Sequence, residues 1–304
     1  MIQGTNYTQY AFVNGKVRAR EARLLTKTMV DRLIAGTLSS FTTILSDTPY
    51  VSYDNIEAGF NEEEKSIKGF FNLYCFTPEV IDLMNWPEQI HNLKVKLKGG
   101  PDKLLYDQGI DEVEEWQEVQ DEVARYAVDK DPFLVSTNLD KILCKYLHTR
   151  AQFAPFFAQY YSLFFDLENI RSFFRARQFE HSREIFKQVY IPYGNLSFDR
   201  FKNIFDVNYE QVSKEFSTTP YYTVVEKGAV YLQEHHSFLR LERLCEEVKL
   251  NFLRQARRMV FGVEPLFTYY HFKMSEIKKL RQVYQAKRND ISPENLKESI
   301  PDVW

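Results

Sequence analysis

The sequence predicts an all-α protein made of three similar helical units, and three observations carry that expectation. Chain breakers are few, with 11 Gly and 11 Pro among 304 residues, where about 12% is usual. Apolar residues return every third or fourth position with charged residues between them, as amphipathic helices require. Strict apolar/polar alternation, the mark of half-buried strands, is scarce. At roughly 100–200 residues per domain the length suits two or three domains with ample core. The 27% of charged residues nearly cancel to a net charge of -3, which argues against a disordered chain and against a dedicated nucleic-acid binder.

The elements follow in order. Residues 11–45 read as one amphipathic helix: Val17, Leu24, Leu25, Met29, Leu33, Ile34 and Leu38 form its apolar side. Arg18, Arg20, Arg23, Lys27 and Arg32 lie between them, and Asp47-Thr48-Pro49 ends it. Residues 59–64 read as a polar loop leading into an aromatic stretch at 70–76. Thr77-Pro78-Glu79 is a helix start, with Thr77 as N-cap and Pro78 in the first turn. Gly99-Gly100-Pro101 is the sharpest break in the chain. Residues 111–122 then carry seven acids and no base, with Val113, Trp116, Val119 and Val123 on one stripe. Such a run is most simply a solvated face, although it also suits a basic partner. The most apolar window, about 15 residues from Phe153, is too short to span a bilayer and reads as a buried core helix. Tyr221 to Leu232 is the only strand-like run, and Gly228 interrupts it.

Repetition divides the chain. Asn169-Ile170-Arg171-x-x-Phe174-Arg175 echoes Asn92-Leu93-Lys94-x-x-Leu97-Lys98, and Lys279-Leu280-Arg281-x-x-Tyr284-Gln285 is a weaker third copy. Each follows an aromatic-rich helix. The last two copies precede similar helix starts, at Ser197 and Ser292, where the serine can cap and the acid two residues later favours the first turn. A second threefold set lies upstream: Val30-Asp31-Arg32-Leu33, Leu139-Asp140-Lys141-Ile142 and Leu241-Glu242-Arg243-Leu244. The order of motifs predicts three divergent units at 1–105, 106–205 and 206–304. The recurring Asn92, Leu93, Lys94, Asn169, Ile170, Arg171, Leu280 and Arg281 are the candidate site positions. Standing at one place in each unit, they fit side chains that brace helix ends or seams better than catalytic groups.

Catalytic constellations are missing. There is no G-x-x-x-x-G-K-[ST] loop and no GxGxxG. One Glu-x-x-His, Glu88 and His91, is half of what a di-iron bundle needs, and His235-His236 lacks convergent partners. No Ser or Cys stands in a nucleophile's context. Cys75, Cys144 and Cys245 are widely spaced, so no disulfide framework or zinc knuckle follows and a reducing compartment fits best. The polar first ten residues carry no secretory signal. Arg240, Arg243, Arg254, Arg257 and Arg258 alternate with Glu242, Glu246 and Glu247, the spacing of salt-bridged helix faces rather than a phosphate track. Neither a catalytic residue nor a cofactor nor a metal ligand is expected.

The run Gly262-Val263-Glu264-Pro265-Leu266-Phe267-Thr268-Tyr269, with Lys273, Glu276-Ile277-Lys278 and Leu280-Arg281, resembles one family. So do Asp166-Leu167-Glu168-Asn169-Ile170-Arg171, Arg175-Ala176-Arg177, Ile191-Pro192 and Gly194 in the middle. Tyr10-Ala11, Val17-Arg18-Ala19, Ala22-Arg23-Leu24-Leu25 and the segment 45–50 agree at the start. The chain is similar to the central-stalk socket subunit of V/A-type rotary ATPases, known as the C subunit in archaeal and bacterial complexes and the d subunit in eukaryotic ones. It departs from the family's pattern at Met274, Lys279 and Tyr193.

The resemblance implies a funnel of three helical domains around a pseudo-threefold axis. Its mouth would receive the central shaft subunits, and its opposite face would sit on the cytoplasmic loops of the membrane proteolipid ring. The chain would then be peripheral, on the cytoplasmic face of the membrane, without a span of its own, and non-catalytic. It would transmit torque for ion transport in an ATP-driven complex. Two other readings compete: a helical adaptor or scaffold unrelated to an ATPase, and an enzyme with an aromatic-lined helical cavity, which would need a convergent acidic or metal cluster.

Overall fold

The computed structural model describes residues 8–51, 55–179 and 182–302; the first seven residues of the polar N-terminal stretch lie outside them. The described residues form sixteen α-helices joined by short 3-10 turns, and no strand. By contact they part into two compact units, Met1–Cys75 with Val207–Trp304, and Phe76–Asp206.

The first unit opens with α1 (Ala11–Glu21), α2 (Lys27–Ala35), α3 (Leu38–Ile44) and α4 (Ile56–Tyr74). Residues 11–45 are therefore three helices, not one. The apolar period runs through the breaks, but Thr26 accepts from the Met29 N–H and Thr37 and Ser40 form a reciprocal capping box. Each cap restarts the helix, because it satisfies donors that an intact helix would have bonded itself. Residues 59–64 are likewise helical, inside α4. Gly59 is there for close approach, since a Cβ on it would lie 2.0 Å from the Tyr50 carbonyl oxygen.

The second unit is one continuous stretch: α5 (Pro78–Leu97), α6 (Asp111–Glu114), α7 (Gln117–Asp129), α8 (Pro132–Ala151), α9 (Pro155–Ala176), α10 (Ser182–Val189) and α11 (Phe198–Asn203). Pro78 stands in the first turn of α5, but the Thr77 side chain makes no cap bond. The break at Gly99 is real, with φ at 66°. α8 packs against α5, α7 and α9. Phe173 of α9 anchors an aromatic core, its ring centroid 5.7 Å from Phe186, 5.4 Å from Phe201 and 5.3 Å from Phe205.

The chain then returns to the first unit with α12 (Tyr209–Glu215), α13 (Tyr222–His235), α14 (Leu239–Leu253), α15 (Glu264–Arg288) and α16 (Pro293–Ser299). The strand-like run is α13. Its Gly228 seats α14, for a Cβ there would meet the Leu241 side chain at 2.7 Å. The expected serine caps form: Ser197 accepts from the Arg200 N–H and Ser292 from the Asn295 N–H. α15 is the axis of the unit, with α1, α2, α3, α4, α14 and α16 all against it. Long-range bonds tie the two ends of the chain: Asn14 Nδ2 donates to the carbonyls of Val260 (2.9 Å) and Gly262 (3.1 Å), and Arg18 donates to that of Met259 (3.0 Å).

Candidate functional site

The candidate positions fall on three long helices: Asn92, Leu93 and Lys94 on α5, Asn169, Ile170 and Arg171 on α9, Leu280 and Arg281 on α15. Leu93, Ile170 and Leu280 are buried among apolar neighbours. The cations beside them are ion-paired. Lys94 meets Asp140 of α8, Arg171 meets Glu168 of its own helix, and Arg281 meets Glu64 of α4 at 2.8 Å while donating to Asn61. The two asparagines do something more specific.

Asn169, fully buried, closes a two-way bond with Ile191: its Nδ2 donates to the Ile191 carbonyl and its Oδ1 accepts from the Ile191 N–H, both at 2.8 Å. Asn92 does the same on α5. Its Oδ1 accepts from the Tyr106 N–H at 2.8 Å, and its Nδ2 donates to the carbonyls of Tyr106 (3.1 Å) and Gln108 (2.5 Å). An asparagine amide presents one donor side and one acceptor side, the match of an extended backbone's own N–H and C=O. Each thus satisfies backbone groups that burial would otherwise leave unpaired.

A second polar side chain stands three residues earlier on each helix, which the sequence reading did not single out as a site. Gln89 Oε1 accepts from the Val113 N–H at 3.3 Å. Asp166 Oδ1 accepts from the Leu196 N–H at 2.8 Å, and Asn195 donates to its other oxygen at 3.4 Å. Glu276 Oε2 accepts from the Leu25 N–H at 2.5 Å. Gln89, Asp166 and Glu276 are all buried. On α5 and α9 the clamped segment follows its helix in sequence; on α15 it comes from the start of the chain. The only cue to these three was an acceptor oxygen three places before each repeated motif, carried by three different residue types. Asp166 also explains Gly194, where a Cβ would fall 2.1 Å from its Oδ1.

The α15 clamp is the most charged. Tyr50 donates to Glu276 Oε1 at 2.6 Å, and Lys273 donates to the same oxygen at 2.8 Å and meets Glu63 at 3.1 Å. Burial and the Glu276 charge push the Tyr50 hydroxyl well above the usual tyrosine range, so it stays a donor. Burial pulls Lys273 down, yet Glu276 and Glu63 together hold it above the ordinary lysine value. Lys279 is buried three residues on, and burial lowers it to about 8 against partial support from Glu276 and Glu246.

The charged runs are partly paired within the chain. Of the acids at 111–122, Glu112 accepts from Trp86 Nε1 at 2.7 Å, Glu118 pairs with Lys145, and Glu122 with Arg125. Arg243 lies 3.8 Å from Glu247, the four-residue pair that the mixed-sign spacing predicted, whereas Arg240 pairs with Glu298 at 2.8 Å and Arg257 with Glu21 at 3.4 Å, both distant in sequence. His91 lies 2.9 Å from the Leu104 carbonyl. Among the described residues no three His, Cys, Asp or Glu side chains converge as a metal site would need, and no helix is long and apolar enough to cross a membrane. Cys75, Cys144 and Cys245 are not disulfide-bonded to one another, and each is buried. A cavity of about 350 Å³ beside the Asn169 clamp is lined by Pro87, Lys141, Cys144, Glu168 and Ile191 among others. Burial pushes its thiol up and its lysine down. The arrangement throughout holds backbone segments to helices.

Residues 102–299 match the family model described as the ATP synthase (C/AC39) subunit. The chain is 24% identical to the C subunit of the V-type sodium ATPase of Enterococcus hirae, over 97% of its own length and 99% of that protein's. It is 22% identical to the C subunit of the A-type ATP synthase of Desulfurococcus sp., over 98% and 92%. Against the C subunit of the A-type ATP synthase of Methanocaldococcus jannaschii the figure is 20%, over 96% of this chain and 57% of that one. A helical chain whose buried polar residues clamp backbone, and whose residues 102–299 match this family model, belongs to the ATP synthase (C/AC39) subunit family, that of the V- and A-type ATPase C subunits.

Proposed function

We propose that this chain is a non-catalytic rotor subunit that couples the central shaft of a V/A-type ATPase to its membrane proteolipid ring. One observation carries the reading: the alignment with the C subunit of a V-type sodium ATPase runs through 97% of this chain and 99% of the relative. A coupler between a narrow shaft and a wide ring needs a stiff body, and densely packed interiors transmit strain. The backbone clamps of Asn92, Asn169 and Glu276 support that stiffness, because each ties a connecting segment to a long helix. The ion-carrying carboxylate belongs to the ring in this reading, since a charge inside the bilayer needs a spanning element to carry it.

The same reading includes three helical units, at 1–105, 106–205 and 206–304, set as a funnel about a pseudo-threefold axis. The polar pairs at matching three-residue spacing on α5, α9 and α15 support a threefold origin. The chain would sit peripherally on the cytoplasmic face, against the shaft subunits and the ring's cytoplasmic loops. A complex prepared without this chain is expected to hydrolyse ATP in its soluble sector and pump no ions. Unchanged pumping would refute the coupler. A helical adaptor unrelated to an ATPase would recover neither shaft nor proteolipid subunits from native membranes, whereas a coupler recovers both.

A further inference from the structure

We propose that the groove between α1 and α4 is a docking site for an acidic helix of another protein. The inference goes beyond the coupler reading, for it names a surface and the chemistry of its occupant. The groove holds about 460 Å³ and is lined by Lys16, Ala19 and Arg20 of α1, Arg23 just beyond it, and Gly69 and Tyr74 of α4.

Its three cations lack the ion pairs that many other cations of the unit make. Elsewhere Arg18 pairs with Glu21, Lys27 with Asp302, Arg240 with Glu298 and Arg288 with Glu57. Lys16, Arg20 and Arg23 meet no carboxylate among the described residues. Glu21, next to Arg20 on α1, pairs with Arg18 and Arg257, and on α4 Glu62 pairs with Lys65, Glu63 with Lys273 and Glu64 with Arg281. Two of the cations are instead held in place by aromatic groups. Lys16 donates to the Tyr74 hydroxyl at 2.6 Å and lies 4.8 Å from the Phe12 and Tyr74 ring centroids. Arg20 stacks 4.1 Å over the Phe70 ring. Such contacts orient a cation without neutralising it.

Gly69, which lines the groove, gives the second, independent observation, and Gly15 lies one residue before Lys16. Gly15 and Gly69 lie inside α1 and α4, where glycine weakens a helix. A Cβ on either would meet nothing within 4 Å, so nothing in this chain requires them. A glycine on an exposed helix face lets another backbone come close. Phe12 and Leu73, 68% and 65% exposed, offer apolar contact at the same groove's edges.

The occupant's shape follows from the spacing. Lys16 and Arg20 stand about 6 Å apart along α1, and Arg23 lies beyond its end, a spread wider than one phosphate spans. A helix with acids at matching i, i+4, i+7 positions meets all three, with small residues between them against Ala19 and Gly69.

The test uses the full chain and a fluorescein-labelled alanine-based helical peptide with glutamates at that spacing, followed by anisotropy in low salt. Saturable binding that weakens as salt rises is expected. Arg23→Glu, which reverses one charge, and Gly69→Leu, which fills the groove and keeps every charge, should each weaken it by about tenfold or more. Ala19→Glu, at an exposed position, gives the same result without risk to the fold. Absence of saturable binding would overturn the proposal, and so would binding as tight in all three variants as in the unaltered chain. Displacement of the peptide by inorganic phosphate or by phosphatidylglycerol vesicles at matched charge concentration would assign the groove to a small anion or a lipid surface and overturn it too.

Discussion

Replacing Asn169 by Leu isolates what one clamp contributes. The leucine fills similar space but leaves the Ile191 N–H and C=O facing an apolar side chain at a fully buried position. Each lost bond contributes about 1 kcal/mol net, and each orphaned backbone group costs about 1–3 kcal/mol. Leucine's own burial returns part of that, leaving a local loss of about 3 kcal/mol. The loss belongs to the segment around Ile191, so hydrogen exchange is a better measure than global unfolding, which two compact units make unsafe to treat as two-state. Amides at 190–196 should exchange about 150-fold faster in the variant, since every 1.4 kcal/mol is tenfold. Those at 104–113 should not change. Asn92→Leu should do the reverse, freeing the segment bonded to α5 and sparing Ile191. Unchanged protection at 190–196, or an equal loss throughout the unit, would refute the idea that this amide fastens one segment to one helix.

Two further perturbations probe charge and space. Lys279 is held at about 8 by burial against an ordinary 10.5. Below pH 8 it is charged in folded and unfolded chains alike, a constant cost to the fold. Between pH 8 and 10.5 the fold releases a proton that the unfolded chain keeps, so this group's share of stability rises with pH, by about 1.4 kcal/mol per unit at most. Lys279→Met should therefore be more stable at pH 7 by up to about 3 kcal/mol and lack that rise; a denaturation series across pH 7–10.5 checks both, and parallel profiles would sink the argument. Gly194→Ala should cost about 2–3 kcal/mol because its methyl collides with Asp166, whereas Gly69→Ala should gain about 0.5–1 kcal/mol from helix propensity alone; opposite shifts in melting temperature are the readout.

What the sequence disclosed was periodicity and repetition. Helix content, the break at Gly99, the serine caps at Ser197 and Ser292 and the inward face of α9 all follow from patterns a few residues long. The misreadings share a physical cause. Thr26 and Thr37 break a continuous apolar stripe because a cap competes with the helix locally, and hydrophobic period does not register that competition. Gly59 and Gly228 looked like interruptions, yet each admits a partner from elsewhere in the fold, the Tyr50 backbone and Leu241. Asn92 and Asn169 were found because the same residue recurs. Gln89, Asp166 and Glu276 were passed over as sites because an amide and two acids share only an acceptor oxygen, a likeness visible once their backbone donors are in place.

The bond from Leu25 to Glu276 also orders events during synthesis. The stretch Phe76–Asp206 is a compact unit continuous in sequence, so it can fold as it emerges from the ribosome. The segment before it cannot. Its acceptors at Val260, Gly262 and Glu276 are made about 250 residues later, so α1 and the turn after it stay unfinished until α15 has been synthesised. A messenger truncated in the codons for α15 would therefore yield a protein damaged at its beginning as much as at its end.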